Sequence, residues 1–252
     1  MPIFDPIPRG GLTARATITG LIQGPPMTGK TTFMGTWPDP GFVHFDPNTP
    51  TVANQLGPVM VVESWPHFRD YIVPAVVSGK WRGVRTICVD SLTYACRMAD
   101  EAAGVRGKAS EGAAYTLSRI EFTQAMSRLL TVARFPSCPA PAHVICSVHE
   151  TEKTDRDGSV RDIVPAVTGQ LKDQLAGWFD FVFLACIKIG TKQVGPRLER
   201  TIERYLATIP VDSMRPYVAD RVGGKLFPGT LPAEVSPPTY QRLAELWAIP
   251  LP

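Results

Sequence analysis

The sequence predicts an α/β protein built on a mostly parallel central sheet, with helices on both faces and antiparallel strands toward the C-terminus. Two observations carry that expectation. Short apolar runs alternate with helix-like segments through most of the chain, as in strands joined by crossover helices. Past Lys188 the pattern changes to polar and apolar alternation, as in Thr201-Ile202-Glu203-Arg204-Tyr205-Leu206-Ala207-Thr208, which marks antiparallel strands. A third observation is the stretch Gly24-Pro25-Pro26-Met27-Thr28-Gly29-Lys30-Thr31-Thr32, which matches the phosphate-binding pattern Gly-x-x-x-x-Gly-Lys-Thr.

Taken in order, residues 1–15 are rich in Pro and Gly and read as an irregular arm, with one domain over 16–252 that ends in a small C-terminal extension. Ile18-Thr19-Gly20-Leu21-Ile22-Gln23 reads as a buried strand, and Gly29 to Trp37 as a helix that Pro38 stops. Gly41 to Asp46 forms a second strand, closed by Pro47-Asn48-Thr49-Pro50, and Val59 to Val62 a third. A helix from about Trp65 to Ser78 carries Pro74 as an irregularity. Arg85 to Ser91 is a short apolar strand that ends in a carboxylate. Residues 92–134 read as two helical pieces with a break near Gly104 to Gly112. On the second piece Phe122, Met126, Leu129, Leu130 and Ala133 form a core-facing stripe, which Pro136 to Pro141 ends. His143 to His149 is another buried strand, followed by a polar hairpin turning at Asp157-Gly158. Thr168 to Phe179 reads as a helix with Thr168 as N-cap, Asp180 to Ile187 as a central strand, and Thr239 to Ala248 as the last helix.

A chain of 252 residues, 44% hydrophobic, is long enough to bury one sizeable core. The net charge of +3 neither establishes nor opposes a nucleic-acid partner. Five cysteines, Cys88, Cys96, Cys138, Cys146 and Cys186, form an odd set without a Cys-x-x-Cys pair, and read as reduced residues of a cytoplasmic protein. Met1 to Pro6 has no basic segment leading into an apolar one, and no run approaches a membrane span, so no membrane partner is expected.

The phosphate-loop motif assigns roles by chemistry. Its glycines let the backbone wrap a phosphate, and since Pro25 and Pro26 have no N–H, the donors come from Met27, Thr28, Gly29, Lys30, Thr31 and Thr32. Lys30 is expected at the β- and γ-phosphates of ATP and the Thr31 hydroxyl at Mg²⁺. Asp90, at the end of its strand, is the second expected Mg²⁺ ligand. A strand-end Asp is common in α/β proteins, and only the loop gives this one its meaning.

The loop, the Asp90-Ser91 strand end, the His149-Glu150 strand end with its hairpin, and Gly169-Gln170-Leu171 leading into Asp180-Phe181-Val182 together resemble RecA-like P-loop ATPases. The tail Ala219 to Leu226 adds to this, and the resemblance, over about Ile18 to Leu246, is narrowest to the short bacteriophage members that include Sak-type single-strand annealing proteins. It implies an ATPase that binds single-stranded DNA, assembles head to tail as a homo-oligomer in a ring or filament, serves recombination or annealing, and works with a single-strand-binding protein. Two positions depart from the family pattern. The second strand ends in Asp46-Pro47-Asn48 where relatives have Asp-x-Glu, so Asn48 can position water without accepting its proton, and hydrolysis is expected either to be slow or to use Asp46 instead. Where relatives carry a Lys-x-Arg or Lys-x-Lys pair for a neighbour's γ-phosphate, this chain has Ala219-Asp220-Arg221, leaving Arg221 as the trans-acting cation or a surface arginine. By analogy His149 senses the γ-phosphate; a plain strand-end histidine is the alternative.

Lys153, Arg156, Arg161 and Lys172 are the candidate DNA-backbone contacts, although Asp155, Asp157, Asp162 and Asp173 interleave with them as on a solvated mixed-charge surface. Arg106-Gly107-Lys108 is a second loop candidate. Two other functions stay open: a nucleoside or nucleotide kinase, which needs an Arg-rich lid and an acceptor pocket, and a nucleotide-loaded scaffold with little hydrolysis, which Asn48 favours.

Overall fold

Parallel strands put all their carboxyl ends on one edge, and that edge is where the residues singled out above meet. A computed structural model describes residues 17–46, 51–105, 112–135, 138–155, 159–194, 197–209, 219–220 and 231–247. The strands are β1 (Thr19–Gln23), β2 (Pro40–His44), β3 (Val59–Val61), β4 (Thr86–Asp90), β5 (His143–Val148), β6 (Glu150–Thr154), β7 (Val160–Pro165), β8 (Phe181–Val194), β9 (Arg197–Ala207), β10 (Ala219–Asp220) and β11 (Glu234–Val235). Among the described residues, nine of them form one sheet in the order β11-β9-β8-β1-β5-β4-β2-β3, with β10 on β8, and β6-β7 is a separate hairpin. β8, β1, β5, β4, β2 and β3 run parallel, while β9, β10 and β11 pair antiparallel, as the change of pattern past Lys188 predicts.

Alternation along each strand splits the core in two. Leu21, Val43, Val89, Val144, Cys146 and Val182 face one layer, made by α5 (Leu92–Ala102) and α6 (Gly112–Arg134). The stripe Phe122, Met126, Leu129, Leu130 and Ala133 of α6 is buried there. Ile22, Phe42, Cys88, Ile145, Phe181 and Phe183 face the other layer, made by α1 (Lys30–Met34) and α8 (Tyr240–Trp247). Trp37 packs at its centre, with ring centroids 4.8 Å from Tyr240, 5.1 Å from His143 and 6.1 Å from Phe181. The Tyr240 N–H donates to Thr36 Oγ1 at 2.8 Å, which ties the C-terminal helix to the turn after α1.

Several elements differ from their sequence expectation. The helix after the loop is shorter than Gly29 to Trp37, because Gly35 caps α1 and the chain turns through Thr36 and Trp37. The helix over 65–77 is α3 (Trp65–His67), a π-helical turn Phe68–Ile72, and α4 (Val73–Val77). The wide turn closes with the Val73 N–H on the Phe68 carbonyl, one residue before Pro74, which has no N–H to continue the ladder. The segment 168–179 is not one helix. It is α7 (Leu171–Gln174) and a 3₁₀ turn Leu175–Trp178, and Thr168 does not cap it, since its hydroxyl donates to Asp100 Oδ2 at 2.6 Å. An additional helix, α2 (Thr51–Leu56), follows β2. Residues 1–15, the Arg106-Gly107-Lys108 segment and the Asp157-Gly158 turn lie outside the described residues. All five cysteines are free, and no described helix is long and apolar enough to cross a membrane.

His143, at the start of β5, accepts a hydrogen bond at Nδ1 from the Ile18 N–H at 3.2 Å. Burial first, and the Arg85 charge second, push its pKa down to about 4 from an ordinary 6.5. The folded imidazole therefore stays neutral where the unfolded one takes a proton, so its contribution is complete above pH 6.5 and is lost as pH falls toward 4. Urea unfolding of wild type and His143→Gln should show their stability difference shrinking by about 3 kcal/mol across that window. Parallel pH profiles for the two proteins would show that His143 is not the group responsible.

Candidate functional site

β5 lies between β1 and β4, so the ends of the loop strand and the Asp90 strand are two strand spacings, about 10 Å, apart. The loop leaves β1 at Gln23, crosses over the end of β5, and enters α1 at Lys30. That path brings Thr31 to Asp90: Thr31 Oγ1 donates to Asp90 Oδ2 at 2.8 Å. Ser147, inside β5, donates to the other oxygen, Asp90 Oδ1, at 2.6 Å. The Asp90–Ser91 peptide bond is cis.

Two glycines make the crossing possible. Gly24 has φ +155, and a Cβ there would lie 2.7 Å from the Ala185 carbonyl oxygen of β8. Gly29, at φ +90, occupies the left-handed region just before α1. The loop apex is exposed at Pro25, Pro26 and Met27, while Thr28 turns inward and donates to the Pro25 carbonyl at 2.9 Å.

Lys30 is buried, and its Nζ donates to the Gly24 and Pro25 carbonyls at 2.8 and 2.6 Å. Desolvation pushes its pKa down to about 8, against the opposing pull of Asp90 and Glu150. Glu150 itself accepts from Gln23 Nε2 at 3.0 Å. The cleft formed here has a volume of about 550 Å³, within the range of small-molecule sites. It is lined by Gly29, Lys30, Thr31 and Thr32 of the loop and α1, by Asp90, Ser91 and His149, by His44 and Asp46 at and just past the end of β2, by Val52 and Ala53 of α2, and by Arg204 of β9. His149 keeps its backbone N–H on Thr93 Oγ1 at 3.0 Å. Burial, and then the Lys30 charge, push its pKa below the ordinary histidine value, which keeps the ring neutral near pH 7.

The residues present fit a magnesium nucleotide. Two buried polar atoms lining the cleft, Ser91 Oγ and His149 Nδ1, have no hydrogen-bond partner among the described residues. The hydroxyl of Thr31 and the carboxylate of Asp90 give adjacent hard oxygen donors of the kind Mg²⁺ takes with phosphates and water.

The structure thus brings Gly24, Met27, Thr28, Gly29, Lys30, Thr31, Thr32, Asp46, Asp90 and His149 to one edge. Asn48, Arg156 and Arg221 lie outside the described residues, as does the side chain of Arg161. β10, which precedes Arg221, pairs with Phe181 and Val182 at the amino-terminal end of β8. Lys153 is on β6, held by Asp173 Oδ1 at 2.9 Å, and Lys172 is on α7. Sequence reasoning did not single out Ser147, His44, the α2 residues or Arg204. Ser147 had a signal, a hydroxyl inside an otherwise apolar strand.

A parallel sheet with a glycine loop after β1, a threonine on an acidic strand end and one strand inserted between them defines a P-loop ATPase fold. The chain matches the AAA domain family over residues 16–213 and belongs to it. An ATPase from the type III secretion system of pathogenic bacteria is structurally similar, with 13% identity and a TM-score of 0.44 over 67% of this chain and 52% of that one. The chain thus spans about half the length of that neighbour. No curated protein matches the chain.

Because Lys30 titrates near 8 in the free protein, ATP affinity should fall as pH rises from 7 to 9.5 and the ammonium is lost. Calorimetry in buffers of different ionisation enthalpy should register uptake of about half a proton per ATP at pH 8, since bound phosphate restores the charged form. Proton uptake of zero at that pH would refute this account of Lys30.

Proposed function

We propose that the chain is an ATP-hydrolysing recombination or annealing protein of the short bacteriophage RecA-like type, acting on single-stranded DNA in the cytoplasm as a homo-oligomer. The observation that carries the reading is the place of His149. It follows the last residue of β5 and lines the cleft, and the next residue, Glu150, begins the β6-β7 hairpin. A change at the γ-phosphate is therefore one peptide away from an element that projects from the sheet edge. Lys153 and Lys172, with Arg156 and Arg161, are the candidate contacts to the DNA backbone, and Asp173 is the competitor that holds Lys153 when no phosphate does. A single-strand-binding protein is the partner expected to share the strand.

Thr31 and Asp90 would hold the Mg²⁺ ion, which when bound neutralises charge on the β- and γ-phosphates. Lys30 binds the same oxygens. Asp46, which lines the same cleft, is the carboxylate proposed to orient and deprotonate the attacking water. Exposed apolar side chains stand around the cleft: Met27 and Val52 on its walls, and Ile189 and Ile202 on the β8-β9 ribbon, 61% and 54% exposed. A second copy covering them would place the nucleotide between subunits, and Arg221 is the residue proposed to reach across.

Single-stranded DNA should raise ATP turnover severalfold, and Lys30→Ala should abolish both turnover and ATP-dependent DNA binding, read by phosphate release and fluorescence anisotropy. If neither single- nor double-stranded DNA changes turnover or binds with ATP present, the DNA assignment is wrong. Phosphate transfer to added nucleosides would favour the kinase instead. Asp46→Asn should lower kcat by about 100-fold with little change in ATP affinity. Unchanged turnover would remove Asp46 from the base role.

A further inference from the structure

We propose that Arg204 is a second polyphosphate-binding cation, supplied by the same chain that supplies Lys30. The inference rests on the cleft being the ATP site and adds a residue from a part of the sheet that the loop motif does not include.

The register places it. Leu184 of β8 lies beside Gln23, the last residue of β1, and Ile187, three residues further on, pairs with Arg204 of β9. The β8-β9 ribbon therefore rises past the end of β1 and stands alongside the loop. Contact is direct: a Cβ on Gly29 would lie 2.8 Å from Arg204 Cδ and 3.3 Å from its Nε. The aliphatic stem of Arg204 rests on the loop glycine, and its side chain lines the same cleft as Lys30, Thr31 and Thr32.

The guanidinium is also uncommitted. Arg69 is paired with Asp70 and Glu121, Arg85 with Asp39, Arg242 with Glu245, and Lys188 with Glu234. Arg204 makes no side-chain hydrogen bond or ion pair among the described residues. Its exposed side chain is free to turn from the stem contact toward a ligand in the cleft. What the cleft lacks is positive charge. Its one buried ammonium shares the cleft with the carboxylates of Asp90 and Asp46, whereas a triphosphate brings about four negative charges. A planar, permanently charged fork with five donors matches phosphate oxygens better than any other group on these walls.

The test is equilibrium binding of ATP, ADP and adenosine to wild type, Arg204→Ala, Arg204→Lys and Lys30→Ala. Unliganded melting curves serve as the check on folding, which an exposed residue should leave within a few degrees. Arg204→Ala should weaken ATP about tenfold, ADP less, and adenosine not at all, with Lys recovering part of the loss. An equal loss for all three ligands would make Arg204 a base or sugar contact, and an unchanged ATP affinity would remove it from the site; either overturns the proposal. Recovery of ATP affinity on mixing Arg204→Ala with Lys30→Ala would show action across subunits and overturn the same-chain assignment. Wild type that binds no ATP would instead sink the nucleotide reading of the cleft, and the Arg204 role with it.

Discussion

The hydrogen bond between Thr31 and Asp90 is the contact on which the carboxyl edge depends. It joins α1, which follows β1, to β4, which is not a neighbour of β1, and it exists because the loop is long enough to pass over the intervening β5 before α1 begins. β5 contributes too, since Ser147 holds the second carboxylate oxygen. Asp90 thus has both oxygens oriented by bonds of the charge-assisted kind, each worth about 1.5–3 kcal/mol net. A site whose ligands are already aimed loses little on binding, the condition for a precise metal and phosphate site. The same crossing forces the backbone against β8 at Gly24, which is why the first glycine of the motif faces a packing limit as well as a conformational one.

Electrostatics then fixes what the cleft accepts. A buried ammonium held by carbonyls is a poor substitute for a hydrated one, and the depressed pKa of Lys30 records that cost. An anion in the loop reverses the penalty. His149 stays neutral because it is buried and near the same ammonium, so it meets a ligand as a polar group without adding charge. Its unpartnered Nδ1, together with Ser91 Oγ, gives the back wall two polar groups whose hydrogen bonds a ligand or its water completes.

How far the sequence revealed this depends on whether the signal was local. β1, β4, β5 and the start of β8 were legible because strands covered on both faces carry a nearly continuous apolar run, and Leu21 and Ile22 go to opposite core layers. The loop was legible because glycine, lysine and threonine at fixed spacing have a mechanism. Thr168 failed as a cap because a tertiary partner, Asp100, takes its hydroxyl, and nothing near Thr168 announces a residue 68 positions away. The helix α2 is six residues long and follows two prolines, too short to show a period. Arg204 lay inside a correctly read alternating strand, but alternation assigns a residue to a face without saying what that face meets. Only the pairing of β8 with β1 shows that this face meets the loop.

That pairing has a mechanical consequence. β8 is held to β1 through four registered pairs, from Gly20 with Phe181 to Gln23 with Leu184, and then continues with β9 as a free-standing ribbon. The ribbon touches the loop at both of its constrained glycines, through the Ala185 carbonyl at Gly24 and the Arg204 stem at Gly29. The Gly24 contact is backbone against backbone and leaves no room for a side chain, whereas the Gly29 contact is with the stem of an exposed arginine that can turn away. At Gly24, then, the loop meets the β8 backbone directly. The exposed isoleucines Ile187, Ile189 and Ile202 share the ribbon face with Arg204. The register thus puts the apolar face of the ribbon and the residue that touches the loop on one side of the same pair of strands.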